Sequence, residues 1–364
     1  MTAIVEAIDL VKEFDAGGGM LGKGKKVYAV SGVSFEVQRG ETFAIVGESG
    51  CGKSTLARTL SRLIAPTSGD VLVQGTSVGA LKGRGLRDLR SKIQFIFQDP
   101  FSSLNPRMSV GALIAEPMEV HRPDLNAKQR RAETAQLLRQ VGLRAAHMDR
   151  YPHEFSGGQR QRIGIARALA AKPEILIGDE PVSALDVSVQ AQVINLLADL
   201  KTEFGLTLII VAHDLAVVRH MSDRIAVMYL GRIVEIGDAD AITANPRHPY
   251  TQALMSAVPE ARIDANRNPI LLEGEIPSPI NPPSGCRFRT RCAFAKAICA
   301  EKIPLLETTK DGREVACHFH KEIPVSDYGS ETQALPEAAK RRFALFRGAV
   351  NARKENKTQQ GEYQ

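Results

Sequence analysis

The chain has 364 residues, of which 43% are apolar and 24% are charged, and its formal net charge is +6. This length can bury a large core and suits more than one globular unit, and the composition excludes a disordered chain. No stretch reaches the roughly 18–20 apolar residues that span a bilayer. Glu6 and Asp9 lie where a signal peptide needs an apolar run. We therefore expect a cytosolic protein that reaches a membrane only through partners.

The first 240 residues alternate short apolar runs with helical patterns. The runs Phe43–Val46, Glu174–Ile177 and Thr207–Val211 are predicted strands, whereas Gln159–Ala171 and Val187–Phe204 are predicted helices. This alternation predicts an α/β fold in which helices cover the faces of a parallel sheet.

The rest of the chain predicts further elements and two boundaries. Ala127–Val141 has the pattern of a charged amphipathic helix, and Ile225–Ile236 that of a hairpin turning at Gly231. Proline becomes frequent from about residue 241, so regular structure should be short there. We divide the chain into residues 1–240, an extension over 241–325 and a tail over 326–364, with one helix predicted at Glu337–Val350.

A phosphate-binding loop follows the first of these strands. The sequence matches the pattern G-x4-G-K-S/T and precedes the predicted helix Ser54–Leu63. In such a loop, glycines let backbone N–H groups surround phosphates, Lys53 reaches the β and γ phosphates, and Ser54 offers a hydroxyl to Mg²⁺. Cys51 needs no redox role, because a small side chain suffices there. The residues of the loop are Gly47, Glu48, Ser49, Gly50, Cys51, Gly52, Lys53, Ser54 and Thr55.

Two carboxylates end the strand that begins at Glu174. At the carboxyl end of a parallel strand, Asp179 and Glu180 face the crevice where ligands bind. Asp179 is therefore predicted to hold Mg²⁺, and Glu180 to act as general base on the attacking water. An apolar strand followed by two acids is a weak signal alone, and it gains weight from the phosphate loop upstream.

Further motifs give the chain its resemblance to a known family. Phe155-Ser156-Gly157-Gly158-Gln159 resembles the LSGGQ signature of ABC ATPases, with phenylalanine in place of leucine. Ser183-Ala-Leu-Asp186 resembles their D-loop, Val-Ala-His213-Asp their switch histidine, and Phe-Gln98-Asp-Pro their Q-loop. The resemblance implies a P-loop NTPase core with a parallel sheet, an antiparallel β subdomain and a helical insert at about residues 99–160.

The resemblance also implies roles for these motifs. Ser156, Gly157, Gly158 and Gln159 open a helix whose N-terminus suits an anion, and in the family this signature closes on the ATP held by a second subunit. Asp186, in the D-loop, is likewise expected to contribute to nucleotide binding. His213 is expected to contact the γ-phosphate, and Gln98 to contact Mg²⁺ or the water and to link core and insert. Phe14 matches the family's adenine-stacking aromatic, and Tyr28 is the alternative.

Longer stretches resemble the dipeptide/oligopeptide importer branch, including Asp179–Gln192, Phe97–Pro106, His248–Leu254 and Pro277–Cys286. This resemblance implies an ATP-hydrolysing subunit for import of peptides or related small solutes. It would lie peripherally at the cytoplasmic face of the inner membrane, without nucleic acid. Its implied partners are a second homologous ATPase, forming a heterodimer, two permease subunits and, indirectly, an extracytoplasmic solute-binding protein. A soluble ABC ATPase not linked to transport, or an exporter ATPase, shares the core motifs.

Four of the five cysteines gather in the extension, at Cys286, Cys292, Cys299 and Cys317. In a cytosolic protein such a cluster suggests metal binding before disulfides, although zinc sites usually show more closely spaced pairs. The arrangement resembles the C-terminal cysteine motif of the importer ATPases, which implies a 4Fe–4S cluster as cofactor beside ATP and Mg²⁺. Structural Zn²⁺ and four free thiols remain the alternatives.

Overall fold

A computed structural model describes residues 3–17, 24–213, 215–219, 221–258 and 270–324. The predicted tail and its helix Glu337–Val350 lie outside these residues. Among the described residues, none of the helices combines the length and apolarity that crossing a bilayer requires.

The described residues form twelve strands: β1 (Ala3–Ala16), β2 (Lys25–Gln38), β3 (Thr42–Val46), β4 (Ser68–Val73), β5 (Thr76–Ser77), β6 (Ile93–Ile96), β7 (Ile175–Asp179), β8 (Thr207–Ala212), β9 (Arg224–Tyr229), β10 (Arg232–Asp238), β11 (Glu307–Thr308) and β12 (Glu314–Val315). The same residues form ten α-helices: α1 (Lys53–Leu60), α2 (Gly83–Lys92), α3 (Val110–His121), α4 (Ala127–Gln140), α5 (Gly157–Leu169), α6 (Val187–Phe204), α7 (Leu215–Arg219), α8 (Ala239–Ala244), α9 (Pro249–Ser256) and α10 (Ile298–Glu301). Two short 3-10 helices span Ala145–Asp149 and Pro152–Glu154.

The central sheet has eight strands in the order β11-β12-β10-β9-β3-β8-β7-β6. Strands β9, β3, β8, β7 and β6 pair in parallel, which confirms the predicted parallel sheet. Every residue of β3 and β8 is buried, as expected for parallel strands covered on both faces. The three predicted strands are present in this sheet, each within two residues of its predicted bounds. The carboxyl ends of β3, β7 and β8 therefore meet at one edge.

A second sheet is antiparallel, in the order β2-β1-β4-β5. It covers one face of the core, where the rings of Phe35 on β2 and Phe43 on β3 stack with centroids 4.9 Å apart. Helix α1 packs into the same apolar cluster through Leu56 and Leu60, both fully buried. This packing fixes the start of α1 against both sheets.

Helices α3, α4, α5 and α6 share a second apolar cluster on the other face of the central sheet. Helix α4 begins at a capping box, in which Asn126 and Gln129 exchange side-chain-to-backbone hydrogen bonds. The helix predicted at Ala127–Val141 is thus confirmed, and so is Val187–Phe204. Helix α3 tolerates Pro117 within its length.

The proline-rich extension has only short elements, as predicted, but it is closely joined to the core. Strand β12 pairs with β10, matching Glu235 with Val315, so the extension completes one edge of the central sheet. The aromatic rings of Tyr229, Tyr250 and Phe288 meet at centroid distances of 4.7–5.5 Å. The hairpin predicted at Ile225–Ile236 is present as β9 and β10, with Gly231 in its turn at a φ of 81°.

Candidate functional site

The phosphate loop connects the end of β3 to the start of α1. Helix α1 begins at Lys53, one residue before the predicted start. The buried Lys53 Nζ donates hydrogen bonds to the carbonyl oxygens of Gly47, at 2.7 Å, and Glu48, at 2.9 Å. The lysine ammonium therefore lies inside the curve of the loop, where it can meet an anion.

Two glycines in the loop leave room for neighbouring backbone. Gly52 has a φ of 106°, and a Cβ there would lie 2.0 Å from the carbonyl oxygen of Ala29 on β2. A Cβ at Gly47 would lie 2.1 Å from the carbonyl oxygen of Met228 on β9. The loop thus lies between β2 and β9, and the close approach of their backbones leaves no room for a side chain at residues 47 and 52. Cys51 is buried, and burial raises the pKa of its thiol, which agrees with a packing role.

Asp179 ends β7 and meets the first turn of α1. The hydroxyl of Ser54 donates to Asp179 Oδ1 at 2.6 Å, and the Asp179 side chain is fully buried. The guanidinium of Arg58, one helical turn after Ser54, lies 3.4 Å from Asp179 Oδ2. The structure brings Ser54 and Asp179 together as predicted. Arg58 was missed, because a single arginine on a helix carries no local signal.

The carboxylate of Glu180 contacts the two other polar residues predicted for the site. Gln98 Nε2 donates to Glu180 Oε2 at 3.0 Å, and His213 Nδ1 lies 3.4 Å from the same oxygen. Glu180 is largely buried, with 15% of its side chain exposed, whereas the side chain of His213 is 57% exposed. Residues from the ends of β6, β7 and β8 thus converge beside the phosphate loop.

The backbone of Glu180 is strained. Its φ is 45°, in the left-handed region that non-glycine residues seldom adopt. Its amide donates to the carbonyl oxygen of Val211 at 3.0 Å, which holds the turn against β8. Strain of this kind persists where surrounding structure overrides it, commonly at functional sites.

The signature residues form a separate group. Helix α5 begins at Gly157, within the signature that was predicted to open it, and Ser156 and Gln159 form a capping box at its start. A Cβ at Gly158 would lie 2.4 Å from the Val189 side chain on α6, so this turn packs against the helix that Asp186 precedes. Asp186 itself is exposed. Within the described part of the chain, no hydrogen bond joins these residues to the phosphate loop.

The two candidate adenine-stacking residues lie on neighbouring strands. Phe14 is 38% exposed and pairs across the sheet with Val27, whereas Tyr28 is half-buried and pairs with Glu13. Lys12 Nζ lies 4.9 Å from the centroid of the Phe14 ring. Tyr28 directly precedes Ala29, the residue that abuts Gly52. Tyr28 is thus next in sequence to a residue that contacts the phosphate loop, whereas Phe14 is linked to β2 through its partner Val27.

The extension also reaches the phosphate loop, which the sequence did not predict. The guanidinium of Arg291 binds the carboxylate of Glu48 at 2.7 and 3.2 Å. The hydroxyl of Tyr250 accepts a hydrogen bond from the Glu48 amide at 2.8 Å. Residues more than two hundred positions apart thus meet at the second residue of the loop.

The four predicted cysteine ligands line one pocket of about 20 Å³, together with Phe288, Phe294 and Phe319. Burial is the main cause that raises the pKa of Cys292 to about 11 and that of Cys317 to about 12. The neighbouring thiols add to this rise, and a backbone hydrogen bond to each thiol partly opposes it. Among the residues that the structure describes, however, no group of three or more His, Cys, Asp or Glu side chains is arranged to hold a metal ion. The structure therefore gathers the four thiols without supporting the predicted metal site.

Comparison with known proteins identifies two regions. The family model described as ABC transporter matches residues 30–183, and the model described as oligopeptide/dipeptide transporter, C-terminal region, matches residues 234–299. The chain is 52% identical over 320 residues to the putative oligopeptide transport ATP-binding protein YkfD of Bacillus subtilis, covering 87% of this chain and 96% of YkfD. It is 53% identical over 309 residues to the oligopeptide transport ATP-binding protein OppF of Salmonella typhimurium, covering 84% and 92%.

Solved structures share the fold. The dimeric ATP-binding cassette MJ0796, in a post-hydrolysis state with ADP and Pi, aligns with a TM-score of 0.58 at 30% identity, covering 65% of this chain and 98% of the cassette. The cbiO1 structure from Clostridium perfringens, part of the ABC transporter complex cbiONQ, aligns with a TM-score of 0.56 at 29% identity, covering 66% and 90%.

Proposed function

The chain belongs to the ABC transporter family as an ATP-hydrolysing subunit, and from this premise we propose that it powers the import of oligopeptides or dipeptides. The observation that carries the proposal is the match of residues 234–299 to the C-terminal region of oligopeptide/dipeptide transporters. This region lies beyond residues 30–183, which match the ABC transporter model, and it contains none of the motifs assigned to hydrolysis, so it distinguishes a transport branch rather than the chemistry. The names of the relatives agree with that branch.

We infer the following roles at the phosphate loop. Lys53 and the loop amides bind the phosphates of ATP, with the N-terminus of α1 adding positive potential. The Ser54 hydroxyl and the buried Asp179 carboxylate have oxygens 2.6 Å apart, and such oxygens are the hard ligands that Mg²⁺ prefers. Bound there, Mg²⁺ would neutralise charge on the β and γ phosphates.

Hydrolysis is an in-line attack of water on the γ-phosphorus, which releases ADP. Glu180 accepts the proton of that water, and Gln98, which donates to Glu180 at 3.0 Å, holds the carboxylate toward it. We propose that His213, whose Nδ1 lies 3.4 Å from Glu180 Oε2 at the end of β8, donates to the γ-phosphate. These groups position water and stabilise charge, which is the main task in phosphoryl transfer.

The signature group acts on a second subunit. At the start of α5, Ser156 is exposed, and Gly157, Gly158 and Gln159 are partly buried. Asp186, at the start of α6, is exposed, and within the described residues no hydrogen bond joins this group to the chain's own phosphate loop. We propose that this face closes on ATP bound by another ATPase subunit, in a head-to-tail dimer. A homologous ATPase forming a heterodimer is the favoured partner.

A groove beside Gln98 is the proposed contact for a permease subunit. It has a volume of about 290 Å³ and lies between β6 and helices α3 and α5, with Phe97 41% and Val120 51% exposed along it. Phe97 immediately precedes Gln98, so a segment seated in the groove would contact the residue next to the catalytic group. We propose that a cytoplasmic segment of a permease binds here, at the inner face of the membrane, and that two permeases and an extracytoplasmic solute-binding protein complete the importer.

The cysteine pocket is proposed as a metal site, with a 4Fe–4S cluster favoured and Zn²⁺ as the alternative. The four cysteine side chains that line this pocket are the ligand set of such a cluster, and metal binding would have to overcome the burial that raises the pKa of Cys292 and Cys317. The pocket has about the volume of one water molecule, so a four-iron cluster requires the thiols to move apart. Anaerobic purification with iron, sulfide and zinc analysis tests this. About four iron and four sulfide per chain supports the cluster, one zinc supports the alternative, and metal-free protein refutes both.

Affinity purification of the tagged chain from detergent-solubilised native membranes tests the transport function, with mass spectrometry of the bound proteins. We expect two multi-span permeases and a second ATPase. Recovery from the soluble fraction with ribosomes, nucleic acid or no partner would refute the transport function and favour a soluble ABC ATPase. Binding of MgATP alone would not separate the two.

A further inference from the structure

A carboxylate occupies the second position of the phosphate loop. Glu48 follows Gly47, whose carbonyl oxygen accepts from Lys53, and its own carbonyl oxygen also accepts from Lys53. A loop that binds phosphates gains from positive potential, so an uncompensated negative charge on Glu48 would oppose nucleotide binding. Only 23% of the Glu48 side chain is exposed, so solvent screens the negative charge of Glu48 from the loop only in part.

Arg291 compensates this charge from the extension. Its guanidinium binds Glu48 through two parallel hydrogen bonds, at 2.7 and 3.2 Å, in the bidentate geometry that fixes a carboxylate most firmly. The Arg291 side chain is only 7% exposed. A guanidinium is always protonated in proteins, so Arg291 brings a permanent positive charge beside the loop.

Other contacts hold the same region in place. Tyr250, fully buried on α9, accepts from the Glu48 amide at 2.8 Å, and its ring packs against Phe288 of the extension. The amide of Gly231 donates to the carbonyl oxygen of Cys51 at 2.8 Å, while Arg287 donates to the carbonyl oxygen of Leu230. The extension thus contacts the loop directly and also through the β9–β10 turn.

We propose that Arg291 is a positioning residue for nucleotide binding: it neutralises Glu48, holds that carboxylate away from the phosphates, and couples the cysteine-rich extension to the phosphate loop. The proposal rests on the proposed binding of ATP at this loop. Since Arg291 immediately precedes Cys292, the conformation of the cysteine segment sets the position of the guanidinium. Coupling between two sites is reciprocal, so nucleotide binding must also stabilise the segment.

The test measures MgADP affinity of the purified full chain by calorimetry. Arg291→Met should raise the Kd at least about tenfold, within the range of typical coupling between sites. Removing the carboxylate as well, in the double variant E48Q/R291M, should return the Kd to within about threefold of wild type, because the uncompensated charge is gone. Arg289→Met is the matched control. The guanidinium of Arg289, two residues away, donates to Ser284 rather than to the loop. The Kd of this control variant for MgADP should therefore stay within about twofold of wild type.

Two further readouts separate positioning from general stability. Arg291→Met should raise the KM for MgATP while leaving kcat at saturation within about threefold, and Arg291→Lys should recover most of the affinity. In wild type, MgADP should slow amide hydrogen exchange over residues 286–292, and this protection should vanish in Arg291→Met. If Arg291→Met does not fold, Glu48→Gln carries the test: it leaves the positive charge of Arg291 beside the loop, so the Kd for MgADP should not rise, and a tenfold rise would overturn the proposal.

An unchanged Kd in Arg291→Met, or a double variant that binds as weakly as Arg291→Met, would overturn the coupling. A wild-type chain that binds no MgADP would instead refute the proposed nucleotide site. The two failures are therefore distinguishable.

Discussion

Replacing Glu180 by glutamine should leave MgATP binding intact and slow hydrolysis by about 10²–10⁴-fold, the usual contribution of a general base. At 1.36 kcal/mol for each tenfold change, this equals about 3–5 kcal/mol of transition-state stabilisation. Glutamine has the same size, and its amide oxygen can still accept from Gln98 Nε2, which lies 3.0 Å from Glu180 Oε2. What it cannot do is take the proton of the attacking water. Folding stability should stay within about 0.5 kcal/mol, because no packing is lost.

The assay is phosphate release at saturating MgATP, paired with calorimetric MgATP binding. Glu174→Gln is the matched control, since Glu174 immediately precedes β7, at the end opposite Glu180, and pairs with the exposed Arg39 at 2.7 Å. Losing that surface pair should cost at most about 1 kcal/mol of stability and no activity. Turnover of Glu180→Gln within tenfold of wild type would refute the role assigned to Glu180. Loss of MgATP binding would show that the carboxylate is structural.

The remaining predictions concern the other parts of the site and the extension. Asp179→Asn should raise the Mg²⁺ concentration needed for half-maximal hydrolysis at least about tenfold, and an unchanged Mg²⁺ dependence would contradict metal binding there. Phe14→Ala should weaken ATP binding by roughly 1–2 kcal/mol if its ring stacks on adenine, and Tyr28→Ala serves as the comparison. The variant that weakens ATP but not triphosphate alone identifies the stacking residue. A chain ending at residue 240 should fail to fold, whereas one ending at residue 326, the limit of the compact unit, should melt like wild type.

The residues whose chemistry depends on neighbours in sequence could be predicted. The phosphate loop, the strand ahead of it and the helix after it are local patterns, so Lys53 and Ser54 lie where the motif requires. The position of Asp179 and Glu180 at the end of β7 could be predicted because apolar runs identify buried strands, and the ends of parallel strands share one edge. Helix α5 begins within the signature that was predicted to open it, because the cap that Ser156 provides is also a local pattern.

The contacts between distant segments could not be predicted. Arg291 and Glu48 are separated by 243 positions, and neither residue carries a local signal for the other. The same holds for β12, a two-residue strand whose pairing with β10 depends on where the chain returns rather than on its own sequence. A change in proline content suggested a boundary at about residue 240, but composition says nothing about hydrogen bonds that cross it.

These crossing contacts explain why the extension should not be separable from the core. Glu235 on β10 is fully buried, and its carboxylate accepts from the amides of Arg247 and His248, each at 2.9 Å, with Arg313 at 3.8 Å. Burial raises the pKa of Glu235, and the hydrogen bonds to His248 and Arg247 oppose that change. A chain ending at residue 240 would keep the carboxylate and lose every one of these partners. The same truncation would expose the ring of Tyr229, which is buried against Tyr250 and Phe288. Burial of one large apolar side chain is worth about 1.5–3 kcal/mol, a substantial part of the 5–15 kcal/mol that stabilises a typical domain. The core therefore depends on the same segment that supplies Arg291 to the phosphate loop, so nucleotide binding and the fold of the extension are physically connected.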